Sequence, residues 1–146
     1  MKKYNYTILL FVLWTIVVVA QPTYKIMSYN LLNYPGSDTT TRNPYFRTTL
    51  ASVQPHILVV QEITSQAGVT GFLNNVLKSF SLNYAAGSFI DGPDIDNGIF
   101  YDTTSFVLLA YNIILTALRN ISEFVLLEKP STDTLRIYSV HLKASS

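Results

Sequence analysis

Apolar and polar positions divide the chain into two regimes. Across residues 24–80, short apolar runs alternate with stretches spaced for helices. Tyr24-Lys25-Ile26-Met27-Ser28-Tyr29-Asn30 alternates as a strand does. Residues 31–36 and the Ser, Asp and Thr residues after them read as a loop, marked by Pro35-Gly36. Asn43 suits a helix cap with Pro44 at the first helical position, and Phe46, Leu50 and Val53 then fall at i, i+4 and i+7. Residues 57–61, Ile-Leu-Val-Val-Gln, form a continuous β-branched-rich run after Gln54-Pro55, which predicts a central strand covered on both faces. Thr64 or Ser65 caps a second helix, whose apolar face is Val69, Phe72, Leu73, Val76, Leu77 and Phe80. Beyond residue 81 the pattern turns to strands, predicted over 82–86, 99–101, 106–111, 113–118, 124–127 and 135–140. Asp91-Gly92-Pro93, Asn97-Gly98 and Ser131-Thr132-Asp133 supply turns between them. Strand, helix, strand, helix and then a run of strands places the chain in the α/β (α+β) class.

With 146 residues the chain is long enough for one domain with a real core. Its hydrophobic share of 49% is inflated by the start of the chain. Lys2 and Lys3 precede an apolar stretch over residues 8–19, and Val18-Val19-Ala20 offers a small-residue cleavage site. Residues 1–20 therefore read as a secretory signal peptide, which sends the mature chain, 21–146, outside the cell or into a periplasm. An uncleaved N-terminal anchor is the alternative reading of the same stretch; after cleavage no stable membrane partner is expected. Removing Lys2 and Lys3 with that segment leaves eight Lys and Arg against nine Asp and Glu. Bulk charge then gives no general attraction to nucleic acid, so any phosphate recognition has to be local. With no cysteine, disulfides and cysteine-linked lipid anchors are excluded.

Three predicted strands end on polar residues of complementary chemistry. Asn30 offers an amide oxygen, Glu62 a carboxylate and His141 an imidazole. In open α/β sheets, ligands are met just beyond the carboxyl ends of strands. A hard divalent cation such as Mg²⁺ takes carboxylate or amide oxygens together with water and substrate phosphate oxygens. An imidazole beside it can give a proton to a leaving oxygen or take one from water. Arg119, ahead of a further strand, could pair with phosphate through its planar fork. Each residue also has a plain structural reading: Glu62 marks where a strand reaches water, and His141 caps a strand at the surface.

The wording of three segments adds to that reading. Met27-Ser28-Tyr29-Asn30-Leu31-Leu32-Asn33, then Pro55-His56-Ile57-Leu58-Val59-Val60-Gln61-Glu62, then Tyr138-Ser139-Val140-His141-Leu142-Lys143-Ala144 stand in this order. Together they resemble the endonuclease/exonuclease/phosphatase superfamily, the deoxyribonuclease I-like metal-dependent phosphodiesterases. The resemblance implies a four-layer β-sandwich flanked by helices, of which this chain holds roughly the first half. It implies Glu62 as a direct metal ligand with Asn30 at the same site, and Mg²⁺ as the cofactor, with Mn²⁺ or Ca²⁺ as alternatives. It makes His141 the first catalytic histidine, bound to the scissile phosphate, and Arg119 a phosphate contact. The segment from Asp94 to Tyr101 resembles the strand entry that supports that histidine, with Asp96 as the candidate acid. His56 departs from the Asp usual after Pro in this family, at a turn rather than at the chemistry. The family's Gly-Asp-x-Asn stretch and its C-terminal Asp-His pair have no counterpart, since His141 is the last His and Gly98 the last Gly. The expectation is a secreted nuclease acting on nucleic acid or another phosphodiester, truncated and inactive alone. A sphingomyelinase-like lipid phosphodiesterase and a non-catalytic secreted binding module are the alternatives.

Overall fold

Strand β1 (Ile26–Tyr34), helix α1 (Thr39–Val53), strand β2 (Ile57–Ile63) and helix α2 (Gln66–Asn75) open the fold. A short 3-10 turn over Leu77–Ser79 leads into β3 (Tyr84–Ala86), β4 (Asp96–Asp102), β5 (Phe106–Ile114), β6 (Ile121–Glu128) and β7 (Thr134–Ser139). The computed structural model describes residues 22–93 and 96–142. The signal-peptide reading of residues 1–20 lies outside them, as do Asp94, Ile95 and residues 143–146. No helix among the described residues is long and apolar enough to cross a membrane.

Two sheets result, one ordered β1-β2-β4-β3 and one ordered β5-β6-β7. β1 and β2 run parallel, as a crossover through α1 requires, and every other pairing is antiparallel. The period of two along β2 assigns its side chains. Leu58, Val60 and Ile63 pack with Phe46 and Leu50 of α1 and Val69 and Phe72 of α2. Ile57 and Val59 face the other way, onto Ile99, Phe106, Phe124 and Leu126 between the sheets. β2 is thus buried on both faces, which is why its sequence shows no polar alternation. Full burial of a side chain such as Phe72 contributes about 1.5–3 kcal/mol. The class is α+β, with a helical layer, a four-stranded sheet and a three-stranded sheet.

Several boundaries differ from expectation for identifiable reasons. β1 continues through residues 31–34, because Leu31 and Tyr34 are both fully buried. The turn-like signature there corresponds to Leu32 and Asn33, whose φ values of 49° and 55° bend the strand without ending it. α1 starts at Thr39, so Pro44 lies inside the helix and Asn43 is no cap. Asn43 is buried and accepts a hydrogen bond from the Tyr34 hydroxyl at 3.1 Å, while Arg42 pairs with Asp38 across the first turn. Ser65, by contrast, does cap α2, accepting from the Gly68 N–H at 3.1 Å. That helix stops at Asn75, and Leu77 reaches the core through the 3-10 turn instead. The two strands expected over 106–118 are one, β5, whose register shift between Leu108 and Ala110 absorbs an extra residue.

Candidate functional site

Glu62 stands at a break in β2. Gln61 pairs with Asn97 of β4 and Ile63 pairs with Asp96, so Glu62 is the extra residue of a bulge. Its φ of 60° is left-handed, a conformation costing a side-chain-bearing residue about 1–2 kcal/mol. β1 shifts register at the same level, between Asn30 and Tyr34. Two adjacent strands therefore break their ladders side by side, and each turns a polar side chain out at that break. Such strain collects where a side chain has to be re-aimed.

Asn30 Nδ2 donates to Glu62 Oε1 at 2.9 Å, and Asn30 Oδ1 accepts the Leu32 N–H at 2.8 Å. One bond to the bent backbone and one to the carboxylate hold the Asn30 amide in place and orient Glu62. His141 lies two residues past the end of β7, with Nε2 at 3.7 Å from Glu62 Oε1. Both side chains are largely enclosed, at 18% exposure for His141 and 13% for Glu62. His141 Nδ1 is buried without a hydrogen-bond partner among the described residues. Asn30, Glu62 and His141 thus form one cluster, from three segments far apart in sequence.

Arg119 approaches the same region from the β5–β6 connection. Its guanidinium donates to the Leu142 carbonyl at 3.3 Å, and its own carbonyl accepts from Thr116 Oγ1 at 2.6 Å. It shares with His141 an open cavity of about 340 Å³, rimmed by Leu118, Ile121, Val140 and Leu142. Asp96 adjoins the Glu62 bulge through its pairing with Ile63. His56 lies at the opposite end of β2, where its Nδ1 accepts the Lys25 N–H at 3.0 Å and its N–H donates to the Lys25 carbonyl. That is a turn-holding role with no tie to the cluster.

A layer of polar side chains beneath the cluster was not expected. Gln61 Nε2 donates to Ser28 Oγ at 3.0 Å and reaches Ser139 Oγ at 3.5 Å. Asn97 Nδ2 reaches Ser122 Oγ at 3.3 Å and the Ser139 carbonyl at 3.4 Å. The Tyr111 hydroxyl donates to the Asn97 carbonyl at 3.0 Å, and burial raises its pKa. The sequence carries a signal for this layer: Asn97, Ser122 and Ser139 occupy the inward alternation positions of Ile99, of Phe124 and Leu126, and of Leu135 and Ile137. A polar residue in phase with core residues is a buried polar group in need of partners.

The described residues hold no group of three or more His, Cys, Asp or Glu side chains arranged for a metal. Within the cluster, Glu62 is an enclosed carboxylate with its orientation fixed, the kind of hard oxygen donor that a Mg²⁺-type ion takes. A single carboxylate fits the habit of Mg²⁺ of keeping several waters and taking substrate oxygens as further ligands.

Two sheets face to face, with helices outside the four-stranded one, give this chain the fold of the endonuclease/exonuclease/phosphatase, or deoxyribonuclease I-like, structures over the length that it matches. It is similar to D. rerio TDP2 complexed with single strand DNA product, at 19% identity and TM-score 0.61, over 82% of this chain and 46% of that one. ANGEL2, a 2',3'-cyclic phosphatase in complex with adenosine-2',3'-vanadate, matches at 16% identity and TM-score 0.61, over 82% of this chain and 41% of that one. An endonuclease/exonuclease/phosphatase family protein from Leptotrichia buccalis C-1013-b matches at 14% identity and TM-score 0.56, over 83% and 54%. The chain therefore spans about half the length of the solved structures it matches. No family model matches the sequence, and no curated protein does.

Proposed function

We propose that this chain carries the first half of the active site of a secreted, metal-dependent phosphodiester hydrolase, a nuclease. The observation that carries the reading is the strained bulge at Glu62, which holds a carboxylate 2.9 Å from Asn30 and 3.7 Å from His141. Glu62 would hold a divalent cation, Mg²⁺ first and Mn²⁺ or Ca²⁺ as alternatives, with Asn30 at the same site fixing the carboxylate. The cation would supply charge neutralisation at phosphate oxygens. His141 would hydrogen-bond the scissile phosphate, with Nε2 facing the carboxylate side and Nδ1 held out of water. Arg119, across the shared cavity, would offer its fork to a non-bridging phosphate oxygen. Two similar structures support the substrate class, the TDP2 structure complexed with single strand DNA product and the ANGEL2 structure in complex with adenosine-2',3'-vanadate. The apolar rim of the His141 cavity favours a second reading, a lipid phosphodiester.

Among the described residues the cluster holds one carboxylate, Glu62, which this reading commits to the cation, leaving no second cluster carboxylate to take the proton from an attacking water. Losing general-base assistance alone costs about 10²–10⁴-fold, so turnover by this chain by itself is expected to be nearly absent. The test compares residues 21–146 with a version extended through the downstream reading frame. Substrates are plasmid DNA, a chromogenic phosphodiester and sphingomyelin vesicles, each with Mg²⁺, Mn²⁺ or Ca²⁺. Turnover by the extended protein, abolished by Glu62→Gln, supports the reading. Preference for vesicles would move it to the lipid class, and Mn²⁺ binding left unchanged by Glu62→Gln would refute Glu62 as the ligand. An extended protein with no activity on any substrate would leave a binding module as the better description.

A further inference from the structure

We infer that Asn97 is a positioning residue, which clamps the end of β7 onto β4 and thereby sets the separation of His141 from Glu62. The inference deepens the hydrolase reading and rests on it for its functional meaning, but its structural content stands alone.

Between the two sheets the contacts are apolar, through Ile57, Val59, Ile99, Phe106, Phe124 and Leu126, until the level of the cluster. There Asn97, 4% exposed, interrupts them. Burying an amide is costly unless it is bonded, and an apolar side chain of similar volume would fill the space without that cost. Asn97 therefore needs a reason other than adhesion, and its connections supply one. Its register partner on β2 is Gln61, the residue before Glu62. Its Nδ2 reaches the carbonyl of Ser139, two residues before His141. One side chain thus spans the two segments that deliver the carboxylate and the imidazole.

Apolar contacts between sheets leave sliding along a strand weakly opposed, whereas an N–H aimed at one carbonyl selects one position. A one-residue slip of the three-stranded sheet over β4 would carry His141 about 3.3 Å, comparable with its whole 3.7 Å separation from Glu62. The β6–β7 ladder, whose last pair is Ser122 with Ser139, fixes β7 against β6 but not the three-stranded sheet against β4, and His141 lies just beyond that last pair. The acceptor on Ser139 also fixes how the Asn97 amide sits, since the reversed amide would set oxygen against oxygen. Its Oδ1 is left buried with no partner among the described residues, a cost accepted in keeping the N–H on Ser139.

The test needs neither metal nor turnover. The chain has two histidines, His141 at the cluster and His56 at the far end of β2, so the side-chain NMR signals of His56 serve as an internal reference. In the wild-type chain, Glu62→Gln should shift the His141 ring signals and leave those of His56 in place. In an Asn97→Leu background, the same Glu62→Gln change should move His141 by at least about twofold less, because the electrostatic effect weakens with distance. If Asn97→Leu does not fold, Asn97→Ser replaces it, its hydroxyl being too short to reach Ser139. Tyr111→Phe, which removes bonds of the same layer but leaves the Asn97 amide on Ser139, should lower the melting temperature and leave the His141 response intact. A His141 response as large without the Asn97 amide as with it would overturn the inference, and so would an equal collapse in Tyr111→Phe. Either result would leave the metal role of Glu62 standing, since Mn²⁺ titration reads that separately.

Discussion

Glu62 occupies a backbone conformation that its side chain disfavours. The bulge at φ 60° is a place where glycine would be at ease. Elsewhere in a strand, glycine is the less stable choice; here the order should reverse. Glu62→Gly and Glu62→Ala both lose the Asn30 hydrogen bond, so the difference between them isolates the backbone. We expect Glu62→Gly to be the more stable of the two by about 1 kcal/mol, measured as a shift in urea midpoint at unchanged slope. Equal midpoints, or Ala ahead of Gly, would mean that the bulge relaxes and stores no strain. Neither variant should bind Mn²⁺ at this position.

α2 shows the same precision in packing. A Cβ on Gly68 would lie 3.0 Å from Pro35 Cδ and 3.1 Å from the Tyr34 carbonyl oxygen, so α2 can rest on the end of β1 only without a side chain there. Helix propensity favours Ala by about 1 kcal/mol, but backbone cannot yield as a flexible side chain can. Gly68→Ala should be net destabilising by about 1–3 kcal/mol, and a thermal melt at or above wild type would contradict this. The three-stranded sheet offers a pH test. Glu123 accepts from Asn112, Tyr138 and Arg136 at 2.8, 2.7 and 2.8 Å, and these bonds, Asn112 foremost, hold its pKa down from 4.5 to about 2. Because the folded value is the lower, the stability that Glu123 contributes is whole above pH 4.5 and is lost as the pH falls through about 2. The gap in melting temperature between wild type and Glu123→Gln should therefore close between those values. A gap constant down to pH 2 would show the bonds to be without net effect. At this scale much was legible in sequence: β2, α2 with its Ser65 cap, and the run of later strands follow from periodicity and turn residues. Less legible were the start of α1, where Tyr34 draws Asn43 into the core, and the continuation of β1 through residues that read as a turn. The sequence nominated Asn30, Glu62 and His141 as strand-end residues, and Arg119 from its place ahead of a strand, with the resemblance naming the same four; the structure brings the first three together. The Asn30 amide orientation was not legible, and the polar layer showed only as Asn97, Ser122 and Ser139 in phase with core residues, because its partners depend on which strands meet across the two sheets.

The molecule as a whole joins two sheets of different connectivity. β5, β6 and β7 follow one another in sequence and in space. The other sheet needs a parallel pairing across α1 and an insertion of β2 between β1 and β4. Closing long loops costs entropy before their contacts repay it, so local pairings tend to form first. We expect Phe124→Leu, within the consecutive strands, to slow folding, and Leu58→Ala, on the parallel pair, mainly to speed unfolding. Stopped-flow refolding would decide it, and equal slowing by both variants would reject this order. The separation of Glu62 from His141 along the chain then acquires a meaning in time. As the polypeptide leaves the ribosome, its carboxylate is made long before its imidazole, and the two meet only when the sheets dock. Until His141 has emerged and the two sheets have docked, no nascent chain holds both groups at the 3.7 Å seen here.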